Sequence, residues 1–143
     1  PYYPMLGLAG NAKKRGDIAS SLHWRQRAWE ASKGPATRIQ WGAGYVNSVI
    51  ELAPEQITRI EQSATSIIKE LEAKPTTFEE RNQRSLERMG KKLQGWSAAY
   101  KQPGVFNRLA SQMAKVCEQL EKASTAKTRC YKVFETSELT GKI

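Results

Sequence analysis

Groups that titrate or attack near neutral pH are scarce in this chain: its 143 residues include one histidine, His23, and one aspartate, Asp17. General acid–base and nucleophilic catalysis need such groups within reach of one another, and no nucleophile motif occurs. Glutamates alone could supply an acid and a base, but most flank the apolar seams at positions that suit a solvated helix surface. The expectation is a non-catalytic domain and not an enzyme. A metal is not expected either, because three plausible ligands never fall together and His23 reads as a surface or packing residue. Gly42-Ala43-Gly44 lacks the spacing and the Lys-Ser/Thr of a phosphate-cradling loop, so no cofactor is expected.

Cysteine is nearly absent too. Cys117 and Cys130 make neither a disulfide framework nor a CxxC or Cys/His ligand pattern. Cys117 falls on an apolar seam, which reads as a buried free thiol, and Cys130 falls in the C-terminal tail. A reducing intracellular compartment follows as an expectation. No run approaches the roughly 20 apolar residues of a membrane-spanning helix. Pro1 to Gly10 lacks the basic start and long apolar run of a signal peptide. The chain opens on proline, as a fragment or a processed product would. There is no internal repeat and no low-complexity tract.

What the chain has is positive charge. Lys and Arg number 23 against 14 Asp and Glu, a formal net charge of +9. The excess is uneven: residues 1–53 hold seven cations against three acids and 77–104 hold six against three, whereas 54–76 hold three against four. A localised excess of this kind favours an anionic partner: nucleic acid, an acidic protein or a membrane surface. With 39% hydrophobic residues and a mean hydropathy of −0.62, the composition is lean but sufficient for a folded core at this length.

Helical periodicity is strongest over 77–100. Phe78, Asn82, Leu86, Met89, Leu93 and Trp96 share one side of a helix, and Arg81, Arg84, Arg88, Lys91 and Lys92 lie roughly opposite. Thr77 and Glu80 match the capping-box pattern that opens such a helix. On either side, Ile57, Ile60, Ala64, Ile67 and Leu71 form a seam for a helix over 54–73, and Phe106, Leu109, Met113, Val116 and Leu120 form one over 105–123. Pro75 and the turn at Pro103-Gly104 separate the three. Lengths of about 30 Å and short connections predict antiparallel neighbours.

The N-terminal half is weaker. Residues 1–16 read as a basic arm ending in Lys13, Lys14 and Arg15. Asp17 is a plausible N-cap for a helix from Ile18 to about Ala31, in which Trp24, Arg25, Arg27 and Trp29 interleave cations with aromatics. That suits base stacking, or it suits two tryptophans plugging the helix onto a bundle. Over 36–52, Ile39, Ala43, Val46 and Ile50 keep helical spacing, although Gly42 and Gly44 weaken a helix. Val46, Ser48, Ile50 and Leu52 also alternate as a strand would. A strand followed by a helix loosely resembles the start of a ribbon-helix-helix unit, but 57–73 runs unbroken where that unit needs a turn and a second helix. Helix is the preferred reading.

These observations predict an all-α fold: an antiparallel three-helix bundle core over 54–123, with one or two additional N-terminal helices inside a domain of 17–123, and flexible ends. Those ends are a basic arm at 1–16 and a tail or short docking segment at 124–143, in which Cys130 to Phe134 is the extended or docking piece. The expected function is low-specificity binding to the phosphate backbone of DNA or RNA. Arg81, Arg84, Arg88, Lys91 and Lys92 form the main contact, and Lys13, Lys14, Arg15, Trp24, Arg25 and Arg27 form a second. The alternative is a protein-interaction or scaffold module that binds an acidic or apolar protein partner. Five cations on one face repel by a few tenths of a kcal/mol per neighbouring pair, with Glu87 the nearest relief. Phosphates or an acidic surface would make the row tolerable.

Overall fold

The structure is a computed structural model in which residues 2–135 are described. Among them seven α-helices and no strand are found: α1 (Tyr2–Lys14), α2 (Ile18–Ala31), α3 (Pro35–Leu52), α4 (Ile57–Glu70), α5 (Glu80–Ala99), α6 (Pro103–Glu118) and α7 (Thr125–Lys132), with a 3-10 turn (Pro75–Phe78) before α5. The fold is all-α, as expected, and 36–52 is helix and not strand. Asp17 caps α2 by accepting the Ser20 amide at 3.0 Å.

Side-chain pairs give the order in which the helices pack. Gln40 donates to Asn82 at 3.3 Å and Lys92 to Glu51 at 2.5 Å, so α3 and α5 run parallel. Arg38 meets Glu70 while Arg59 meets Tyr45, so α3 and α4 run antiparallel. Arg108 donates to Glu61 and Gln112 to the Thr65 carbonyl, so α4 and α6 are parallel. α5 also packs on α6, whereas α4 and α5 are not packed neighbours. The four helices therefore form a square in the order α3, α4, α6, α5. The three-helix core expected over 54–123 gives way to four helices, because Ile39, Ala43, Tyr45, Val46 and Val49 of α3 are buried with the rest of the core. Gly42 explains how a glycine serves a buried helix: a Cβ there would lie 2.9 Å from both Ile67 and Trp29 side-chain atoms, so its absence lets the helices close.

The ends depart from expectation. The arm is helix α1, whose small Ala9 and Ala12 are buried in close packing against α2. Short side chains gave no apolar stripe to read, yet they let two backbones approach. Residues 125–132 are helix α7 in place of the expected tail or short docking segment; the Ser124 hydroxyl caps it by accepting the Lys127 amide at 3.1 Å, and Val133 and Phe134 beyond it are buried in the core. Residues 136–143 of the expected tail lie outside the described residues. Cys117 and Cys130 form a disulfide joining α6 to α7. The free-thiol reading is wrong, and the reducing-compartment expectation built on it loses its basis. The turn between α6 and α7 brings the two residues together, which the reading of 124–143 as a tail or short docking segment does not anticipate. The capping box at Thr77 and Glu80 does not form. Phe78 is fully buried and draws Thr77 into the core with it, leaving Glu79 at the N-cap position with no side-chain bond. α4 begins at Ile57, since Pro54 is held in the preceding turn with its carbonyl accepting the Trp96 indole at 2.8 Å.

Candidate nucleic-acid interface

Helix α5 positions the basic row. Leu86, Met89, Leu93 and Trp96 are buried on its inner side, which is the apolar seam read from the sequence. The outer side then carries Arg81, Arg84, Arg88 and Lys91, all exposed. None of the four has a hydrogen bond or salt bridge to another described residue. Glu87 forms no salt bridge with any of them; its carboxylate accepts a hydrogen bond from Gln83 at 2.6 Å, and Gln83 also donates to the Arg129 carbonyl. Glutamates of the other helices do not pair with them either: Glu70 binds Arg38, Glu61 binds Arg108, and Glu118 forms no salt bridge among the described residues.

Lys92 differs from the other four. It sits at the edge of the row nearest α3, half-buried, and binds Glu51. That hydrogen bond is the main reason the Glu51 carboxyl lies below its ordinary value; burial opposes the shift, and the charges of Lys92, Lys13 and Arg25 add to it. Lys92 of α5 thus pairs with one carboxylate of α3 on which the charges of Lys13, at the end of α1, and Arg25 of α2 also act. Part of the expected second contact meets the main row here, with more positive than negative charge.

The rest of the second contact does not converge. Lys14, Arg15 and Arg27 are exposed and form no salt bridge among the described residues. Arg27 follows Arg25 by two positions, about 200° round the helix, so the two arginines face different ways. Arg25 is half-buried and its Nε has no hydrogen-bond partner within the protein. Trp24 is half-buried and meets His23 edge-to-face at 5.0 Å, while Trp29 is in the core, stacked on Tyr45 at 5.7 Å. The packing reading is right for Trp29, and Trp24 keeps a partly open ring.

Two features of the site were not legible in the sequence. Glu51 lies one turn after Asn47 on α3, and nothing local distinguishes it from a solvated glutamate. Arg38 and Arg59 did not stand out either, and both are held over the faces of core aromatics, Trp29 at 5.9 Å and Tyr45 at 5.6 Å. No protein-family model, curated protein or solved structure matches this chain. Among the described residues no helix is long and apolar enough to cross a membrane, and no three His, Cys, Asp or Glu side chains gather as a metal site would require.

Proposed function

We propose that this chain is a non-catalytic nucleic-acid-binding domain that grips a phosphate backbone with low sequence specificity. The reading rests on one observation: Arg81, Arg84, Arg88 and Lys91 are exposed on one face of α5, and none of them forms a salt bridge among the described residues. Ten residues of helix place the first and last about 15 Å apart, on a rigid element. Each phosphate neutralised by such a row releases counterions, a sequence-independent gain that falls with salt. Lys92, Lys13 and Arg25 extend the positive surface towards α1 and α2, with Glu51 as their shared internal anion.

Binding measured against salt with unrelated DNA and RNA tests this. Wild type is expected to bind all of them with a steep slope of log K against log salt. Changing Arg84, Arg88 and Lys91 together to Gln should weaken all sequences alike and flatten the slope by about 0.7 to 0.9 for each phosphate no longer neutralised. If wild type shows no salt-dependent binding near physiological ionic strength, the proposal fails.

The second reading, a module that docks on an acidic protein surface, is favoured by the disulfide. Disulfides persist in oxidising environments and are rare in cytosolic and nuclear proteins. A pull-down compared between wild type and the triple variant would reveal an acidic partner held by the same row.

A further inference from the structure

Between α2, α3 and α4 the surface opens into a cavity of about 350 Å³ to which the basic row contributes nothing. Its floor is the stacked pair Trp29 and Tyr45, both largely buried, and its wall mixes polar and apolar surface. Arg59 stands at one end, half-buried over the Tyr45 ring. Its Nε donates to the Tyr45 hydroxyl at 2.6 Å, Nη1 to Gln56 Oε1 at 3.2 Å and Nη2 to Gln26 Oε1 at 3.3 Å. All three acceptors are neutral, and Arg59 makes no salt bridge among the described residues. A guanidinium has five N–H donors, so two remain, one on each terminal nitrogen, on a cation already fixed in place.

The other end is different. Arg38 donates to both oxygens of Glu70, at 2.7 and 3.0 Å, and Glu30 also lines the cavity. Gln62 and Ser66 lie between the ends, since residues 59, 62, 66 and 70 share one face of α4. Both are exposed and neither forms a side-chain hydrogen bond within the described protein.

We infer that this cavity binds a small hydroxylated anion, a sugar acid or a sugar phosphate. The acid group takes the two free donors of Arg59, for which a fixed planar fork is suited. Hydroxyls along the rest of the molecule exchange hydrogen bonds with Gln62 and Ser66 and donate to the carboxylates of Glu30 and Glu70. The volume is that of an ordinary small-molecule site. This inference is independent of nucleic-acid binding by α5.

The test follows the Arg59 Nε–H and Trp29 indole N–H signals by NMR, with calorimetry, on the whole chain titrated with glucuronate, glucose 6-phosphate, glucose and inorganic phosphate. The sugar acid, the sugar phosphate or both should shift these signals and bind about tenfold or more tightly than glucose or inorganic phosphate. The preference between the two names the source of the acid group. Arg59→Gln should lose about tenfold or more, as removal of a charge-assisted hydrogen bond does. Because Arg59 also braces Tyr45, Gln62→Ala and Ser66→Ala serve as variants that break no side-chain bond in the protein, and each should weaken binding several-fold. The inference is overturned if neither sugar anion binds, if glucose or inorganic phosphate binds as tightly, or if all three variants bind like wild type.

Discussion

Glu51 and the cations around it show what a single residue adds to a basic surface. The carboxylate draws Lys92 out of the α5 row and lies near Lys13 and Arg25, so any phosphate that docks there competes with it. Glu51→Gln is therefore expected to strengthen salt-dependent polyanion binding and to steepen the slope of log K against log salt by about 0.7 to 0.9, as Lys92 becomes available. Titration should show the same relation in stability. The Glu51 pKa is lowered on folding from 4.5, so its pairing stabilises the fold fully above that pH and is lost as pH falls through the lower folded value. A denaturation series at pH 3 to 6, compared between wild type and Glu51→Gln, reads it: the difference should shrink as pH falls. The four free cations of α5 could be placed from the sequence, because helical period alone sets their side of the helix. Lys92 could not be told apart from them, since its partner is 41 residues away.

At the scale of elements, α7 is the piece that tertiary contact creates. It is short, and an isolated helix of its length is marginal in water. Three anchors hold it: the disulfide to Cys117, the Gln83 side chain on the Arg129 carbonyl at 2.9 Å, and Phe134 beyond its end, edge-to-face with Phe106 at 5.7 Å. Gly90 of α5 makes room for it; a Cβ there would lie 1.7 Å from the Val133 carbonyl. The disulfide spans 13 residues, a loop whose closure contributes about 2 to 4 kcal/mol through the unfolded chain. Urea unfolding of the Cys117→Ser, Cys130→Ser double variant is expected to show that loss, and a thiol reagent should find no reactive cysteine in the unreduced native protein. Free thiols in the native state would remove the link between α6 and α7. The spacing of the two cysteines carried no hint of their pairing, because it depends on where the turn between α6 and α7 returns the chain.

For the whole molecule, the square of α3 to α6 decides which faces are core. Leu86→Ala and Leu93→Ala, at 0% and 1% exposure, should each cost about 2 to 5 kcal/mol, whereas Arg84→Ala should change stability by less than about 0.5 kcal/mol. Equal effects in chemical denaturation would mean that α5 faces the wrong way. The helical class, the inward seams of α4, α5 and α6, and the outward basic row were all legible in the order of residues, because each depends on residue type and a 3.6-residue period. So was the Asp17 cap, which is local. Long-range packing was needed to make α3 a full core member beside α5, to set α4 and α5 across the diagonal despite their short connection, and to make helices of residues 2–14 and 125–132. It also lets cations of three helices act on Glu51 and shapes the cavity at Arg59. Each of these depends on which surfaces meet, and periodicity within one helix cannot choose its neighbour.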